Sequence, residues 1–153
     1  MAEAPAALRR RLDGEIKDAL RAGEKVRLGA LRLLVAAITV REKELRRLLS
    51  DDEIREVAVR EAKKRNEAID AYEAAGRQEL VAKERQERDA LAPYLPEQLS
   101  EAEVDTIVEE AIAATGATSM RQMGAVMGAV MANAKGRVDG SSVQRKVRAR
   151  LGG

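Results

Sequence analysis

The spacing of apolar residues predicts helices along the whole chain. Leu8, Leu12, Ile16 and Leu20 recur every four residues, which is typical of one face of a first helix that ends near Gly23. Comparable stripes of aliphatic residues follow, and short runs of glycine, proline or serine separate them. We expect further helices over residues 24–49, 51–75, 77–91, 101–115, 120–133 and 140–151.

Two of these helices carry a recognisable start signal. Ser50 precedes Glu53 by three residues, and Ser100 precedes Glu103 in the same way. In this capping box the serine hydroxyl accepts a hydrogen bond from the third helical amide, and the glutamate side chain accepts one from the cap amide. Asp139 is the expected cap of the last helix.

A proline-rich segment, residues 93–96, divides the pattern. Pro93 and Pro96 lack an amide hydrogen and restrict the residue before them, so a helix is not expected to continue through them. The predicted fold is therefore all-α. An extended N-terminal helical hairpin or bundle covers residues 1–92, and a compact three-helix domain covers residues 97–153.

The composition fits helices packed closely together and removes several kinds of chemistry. The 153 residues include no Phe, Trp, His or Cys and only two Tyr, so aliphatic side chains must fill the core. Without His and Cys, the usual general base, the commonest metal ligand and a thiol nucleophile are missing. We predict no catalytic residues, no cofactor and no metal site. With no apolar stretch that could cross a membrane and no apolar leader, we expect a soluble protein of the cytoplasm.

The net charge of +2 conceals an uneven distribution. From Ser100 to Gly116 there are acids and no bases, whereas seven bases and one acid, Asp139, follow from Ala117 onward. Such a basic end suggests an anionic partner, although a solvated helix face is the simpler interpretation. The candidate RNA-binding residues in this region are Lys135, Gly136, Arg137, Arg145, Lys146, Arg148 and Arg150. At the turn around Gly136, backbone amides could add contacts to phosphate.

The sixth predicted helix carries two glycines on its surface. Gly124 and Gly128 lie beside a methionine stripe at helical spacing. Glycine inside a helix costs on the order of 1 kcal/mol relative to alanine, so a compensating contact is expected. Close packing against a neighbouring helix would provide one, and so would a protein or RNA partner on the glycine face.

Two other clusters resemble catalytic or metal sites but have simpler structural interpretations. Ser141 and Ser142 with Lys146 imitate the relay of some amidases, but serines in a first helical turn usually act as caps. Three consecutive acids at residues 51–53 could suggest a metal. They point in different directions on a helix, so capping and the helix dipole explain them better.

Two longer segments, "PYLPEQLSEAEV" and "MGAVMGAVMANAKGRVDGSSV", resemble the YqeY-like family. Ser50-Asp51-Asp52-Glu53 and "AYEAAGRQELVAKE" agree with the same family upstream. The family shares its C-terminal region with the tail of the B subunit of the bacterial glutamyl/aspartyl-tRNA amidotransferase. Related modules are appended to some glutaminyl-tRNA synthetases.

The resemblance implies a helical fold in two parts and a role close to tRNA. The leading hypothesis is a non-catalytic tRNA-binding adaptor that holds phosphates of tRNA or another structured RNA. A second hypothesis is a protein-interaction module for an aminoacyl-tRNA synthetase or an amidotransferase, with the acidic fifth helix as one of its surfaces. A third, implied by the family label of glutamine-dependent carbon–nitrogen ligase, is participation in amidation.

Overall fold

The computed structural model describes residues 4–152, and all regular structure in that range is helical. This confirms the all-α fold. Short 3₁₀ turns precede the fifth and sixth helices at Ala92–Tyr94 and Met120–Gln122. The α-helices are α1 (Ala7–Ala22), α2 (Lys25–Leu45), α3 (Asp51–Ala74), α4 (Gln78–Ala90), α5 (Glu101–Thr115), α6 (Met123–Ala134) and α7 (Gly140–Arg150).

The chain divides into two compact units, and the division falls between Leu95 and Pro96. The N-terminal unit holds α1 to α4, and the C-terminal unit holds α5 to α7. Tyr94, which the sequence placed at the boundary, is fully buried in the core of the N-terminal unit.

In the N-terminal unit, α2 contacts each of the other three helices, and α3 and α4 pack along each other. The core is aliphatic except for Tyr94, as the composition predicted. Helix α4 packs against both α2 and α3 through a narrow edge that buries Val81, Glu87 and Ala90. The fully buried side chains of this unit include Leu12, Leu31, Leu34, Ile38, Ile54, Val81, Leu91 and Tyr94.

Two sequence predictions fail at the helix ends. Leu20 was assigned to the buried stripe of α1 but is 59% exposed, and Ala19 is buried instead. Helix α2 ends at Leu45, earlier than expected, where Arg46 adopts a left-handed conformation with φ of 57°. Leu49 still reaches the core, and the Glu42 carboxylate accepts a hydrogen bond from its amide at 3.0 Å.

Both predicted capping boxes are present. The Ser50 hydroxyl accepts a hydrogen bond from the Glu53 amide at 3.2 Å, and Ser100 and Glu103 repeat the arrangement. The other two acids at the start of α3 have separate partners. Asp51 accepts a hydrogen bond from the Leu8 amide at 3.0 Å, and Asp52 pairs with Arg55. The three acids therefore have structural roles, since each one accepts a hydrogen bond at a helix start or forms an ion pair.

Glu53 makes the stability of the N-terminal unit sensitive to acid. Hydrogen bonds from Arg47, and then from the Ser50 amide, lower the pKa of Glu53 from 4.5 to about 2. A depressed folded pKa stabilises the fold above the unfolded pKa, and that contribution is lost as pH falls from about 4.5 to about 2. We expect Glu53→Gln to be less stable than the wild type at about pH 6, with the difference shrinking in acid. Urea unfolding of both proteins at several pH values measures the difference in free energy of unfolding. A difference that does not change with pH would contradict the lowered pKa of Glu53.

The C-terminal unit packs α5, α6 and α7 around a core of valines. Helix α6 contributes Val126 and Val130, and α7 contributes Val143 and Val147. Because α7 buries residues 143 and 147, positions 145 and 148 lie on its opposite, solvent-exposed face. No helix within residues 4–152 is both long enough and apolar enough to span a membrane.

Candidate nucleic-acid interface

Three of the predicted RNA-binding residues are exposed and available. Arg145 and Arg148 lie on the outer face of α7, and Lys135 lies at the end of α6. None of the three has an ion-pair or hydrogen-bond partner within residues 4–152. Arg121, in the 3₁₀ turn before α6, shares these properties. Sequence reasoning did not select Arg121, because it stands apart from the basic run near the C-terminus.

Two other predicted residues form ion pairs with acids of α5. The Lys146 amino group lies 2.7 Å from carboxylate oxygens of both Glu101 and Asp105, and Arg150 pairs with Glu109. Hydrogen bonds with Asp105, and then with Glu101, raise the pKa of Lys146. The acids recur every four residues on α5 and face two bases spaced four apart on α7. That matched spacing was the sequence signal that could have predicted the pairing.

The turn at residues 135–137 has a structural role of its own. Gly136 has a φ of 80°, a left-handed conformation that favours glycine. The Arg137 guanidinium donates a hydrogen bond to the Glu97 carbonyl at 3.0 Å, and the Leu99 amide donates one to the Arg137 carbonyl at 2.9 Å. The amides of Lys135 and Arg137 donate to carbonyls of α6. Two of the amides at this turn, those of Lys135 and Arg137, are therefore already hydrogen-bonded within the chain.

The face of α6 that carries Gly124 and Gly128 is open. Within residues 4–152, no atom beyond the neighbouring residues and the backbone of α6 itself lies within 4 Å of the position that a β-carbon would take at either glycine. Close packing within the chain therefore does not explain these glycines, and a partner on this face stays a hypothesis. The methionines beside them are half-buried, and Met123, Met127 and Met131 pack against the core.

The serine pair at the start of α7 is arranged for helix capping. Asp139 is the N-cap, and its carboxylate accepts a hydrogen bond from the Ser141 amide at 3.2 Å. Ser141 and Ser142 follow within the first turn, so the cap is the aspartate rather than a serine. Lys146 is held as a cation by two carboxylates, a state that opposes any role as a proton-accepting base.

The fold and the surface together define a helical protein of two units, with exposed basic side chains on the outer face of α7 and near both ends of α6. Its sequence matches the model of the YqeY-like protein family over residues 9–151, so the chain belongs to that family. It is also 30% identical over 145 residues to "Altered inheritance of mitochondria protein 41, mitochondrial" from Pyrenophora tritici-repentis (strain Pt-1C-BFP). That alignment covers 93% of this chain and 80% of the fungal protein.

Proposed function

We propose that the chain is a non-catalytic adaptor that binds structured RNA, with tRNA as the expected class, through its C-terminal unit. The observation that carries the proposal is a set of exposed cations on α7 and beside the two ends of α6 that have no ion-pair or hydrogen-bond partner within residues 4–152. The set comprises Arg121, Lys135, Arg145 and Arg148. We call these residues the free cations.

No ion pair joins the free cations to the acids of the same unit within residues 4–152. Residues 96–153 contain seven bases and seven acids, so the unit as a whole is neutral. The acids of α5 pair with Lys146 and Arg150, whereas the free cations form no ion pair in the part of the chain that the structure describes. A neutral unit with a locally basic surface should bind a polyanion weakly and only at modest salt concentration.

The chemistry of the surface favours phosphate and shape recognition over reading of bases. Sequence-specific binding of single-stranded RNA normally stacks bases on aromatic side chains. The chain has only two tyrosines, Tyr72 and Tyr94, both outside the C-terminal unit, and Tyr94 is fully buried. Arg and Lys donors can engage the backbone of a folded RNA without an aromatic platform.

The cytoplasmic location stays a prediction. The name of the fungal relative places that protein in mitochondria. Either compartment contains tRNA, so the RNA-binding proposal does not depend on the choice.

A salt titration of tRNA binding tests the proposal. If the four free cations each engage one phosphate, log affinity should fall with log salt with a slope of roughly −3 to −4. Changing Lys135, Arg145 and Arg148 together to glutamine should flatten the slope by about 2 to 3, since each lost phosphate contact removes about 0.7 to 0.9. Fluorescence anisotropy with labelled tRNA, at several salt concentrations, provides the measurement.

The matched control changes one lysine and two arginines of the N-terminal unit. Lys17, Arg21 and Arg60 are exposed and have no ion-pair partner within the described range. Their joint change to glutamine removes the same charge and should leave the slope nearly unaltered. A loss of binding in this control alone would move the RNA surface to the N-terminal unit. The absence of tRNA binding at low salt would refute the proposal.

A further inference from the structure

The ion pairs between α5 and α7 leave their acidic partners at the surface. Lys146 lies 2.7 Å from Glu101 and from Asp105, and Arg150 pairs with Glu109. The side chain of Lys146 is 24% exposed, whereas that of Glu101 is 82% exposed. Arg150 and Glu109 show the same order, at 40% and 64%. We call Glu101, Asp105 and Glu109 the α5 acids, and we call Lys146 and Arg150 the paired bases.

Helix α7 carries two kinds of base on adjacent sides. Arg145 and Arg148 belong to the free cations and are exposed on its outer face. The paired bases follow them closely in the sequence but lie on the side of α7 that faces α5. Successive residues of a helix are about 100° apart around its axis. The α5 acids therefore lie at the edge of the surface to which Arg145 and Arg148 belong.

The apolar core, rather than these ion pairs, holds α5 against α7. Val104 and Val108 of α5 pack in the same cluster as Val143 and Val147 of α7. Ion pairs between exposed side chains contribute little to stability, because water screens them. The acids can therefore be changed without unfolding the unit, and their effect on binding can be measured.

We propose that the α5 acids keep the paired bases from binding RNA and thereby confine the RNA to the free cations. The inference rests on the function proposed above. A phosphate that contacted Lys146 would have to replace one carboxylate and lie beside another, because two acids pair with this base. Like charges so close together repel, and no acid is paired with Arg145 within residues 4–152. The α5 acids thus limit both the affinity for a polyanion and the side from which it approaches α7.

Removal of the α5 acids should enlarge the RNA-binding surface. In the triple variant Glu101→Gln, Asp105→Asn and Glu109→Gln, the paired bases become available to phosphate. Two added contacts should make the salt slope of tRNA binding steeper by about 1.4 to 1.8, since each contact contributes about 0.7 to 0.9. Fluorescence anisotropy with labelled tRNA measures the slope, and circular dichroism checks that the variant is folded. An unchanged slope in the folded variant overturns the proposal.

The matched control removes three acids of the N-terminal unit. Asp18, Glu56 and Glu67 are exposed, and Asp18→Asn, Glu56→Gln and Glu67→Gln together change the net charge equally. This control should leave the slope nearly unaltered. An equal steepening in the control would show that net charge sets the slope, and it would overturn the proposal.

Substitution of the paired bases distinguishes direct contact from a general effect of charge. Lys146→Gln with Arg150→Gln should leave the slope of the otherwise wild-type chain nearly unaltered, because these bases do not contact RNA there. The same two substitutions should abolish the gain in the variant that lacks the α5 acids. A flatter slope in the wild-type background would overturn the proposal, and so would a gain that survives the loss of both bases.

A single substitution at Glu109 decides the question if the triple variant does not fold. Glu109→Gln frees Arg150 alone and should steepen the slope by about 0.7 to 0.9, a gain that Arg150→Gln should remove. Wild-type binding without any gain on removal of acids overturns this inference and leaves the proposed function intact. Binding by the acid-free variant alone supports the effect of the acids and refutes RNA binding by the wild type. The absence of binding by both proteins at low salt overturns both proposals.

Discussion

Tyr94→Ala is expected to lower the free energy of unfolding of the N-terminal unit by about 3 to 5 kcal/mol, the range found for removing a buried aromatic ring. Tyr94 is fully buried and is the largest buried side chain in the described structure. It packs in a core that otherwise consists of aliphatic residues such as Leu12, Leu34 and Leu91. Small aliphatic neighbours cannot collapse far enough to fill the space of a ring, so much of the cavity should persist.

Tyr94→Phe separates the ring from its hydroxyl. The hydroxyl oxygen is buried and has no hydrogen-bond partner of good geometry within residues 4–152. Burial, and then the charge of Glu15, raise the pKa of Tyr94, so the hydroxyl stays protonated at neutral pH. Because the hydroxyl makes only a poorly aligned contact with Glu15, its removal should cost little, and the phenylalanine variant should be close to the wild type in stability. If Tyr94→Phe lowered the free energy of unfolding as much as Tyr94→Ala, packing of the ring would not be the main contribution of Tyr94.

The two tyrosines provide a convenient probe, because both belong to the N-terminal unit. The near-ultraviolet circular dichroism of Tyr72 in the Tyr94→Ala variant reports that unit, and the far-ultraviolet signal reports both units. Since the division lies after Leu95, the variant should unfold in two steps in urea, with the C-terminal unit unfolding at its wild-type concentration. A single transition shifted as a whole would show that the two units unfold together.

Local signals in the sequence were sufficient for the existence of the helices and for the starts of α3 and α5. A capping box needs only residues three apart, so Ser50 with Glu53 and Ser100 with Glu103 could be assigned without any tertiary structure. The end of α2 was harder to predict, because apolar residues continue past it. Leu49 is buried although it lies outside the helix. Helical periodicity cannot distinguish a buried residue within a helix from one that is buried just after the helix ends.

The candidate interface could be predicted only in part, because its charges depend on contacts between distant segments. The basic run near the C-terminus was visible, but whether a given base is free depends on α5, about forty residues earlier. Lys146 and Arg150 are paired there, whereas Arg145 and Arg148 are turned away from the core. Arg121 could not be selected from a basic cluster, because no other base lies near it in the sequence.

The second large effect is expected at Arg65, which joins α3 to α4 through two carboxylates. Its guanidinium lies 2.8 Å from Glu87 and 3.3 Å from Glu84. Glu87 is only 8% exposed, and one oxygen of Glu84 is buried without a hydrogen bond. Arg65→Met would keep much of the aliphatic packing and remove the charge that compensates both acids. Loss of one partner of a buried ion pair typically costs about 3 to 5 kcal/mol.

Acid should partly rescue the Arg65→Met variant. Burial raises the pKa of Glu84 above its ordinary value of 4.5, and the neighbouring Glu87 charge adds to that increase. Removal of Arg65 takes away the main opposing influence, so the pKa should rise further. A raised folded pKa stabilises the fold fully below the unfolded pKa, and that contribution is lost as pH rises through the folded pKa. The penalty of the substitution should therefore shrink as pH falls from about 7 to about 5.

Arg85→Met provides the control for this experiment. Arg85 pairs with Glu73 at 2.6 Å between the same two helices, but the two side chains are 52% and 38% exposed. Water screens such a pair, so the substitution should cost less than about 1 kcal/mol and show no dependence on pH over the same range. Urea unfolding of both variants at several pH values provides the comparison. Equal costs at Arg65 and Arg85 would mean that the buried carboxylates do not need a cation, and that apolar packing alone holds α3 to α4.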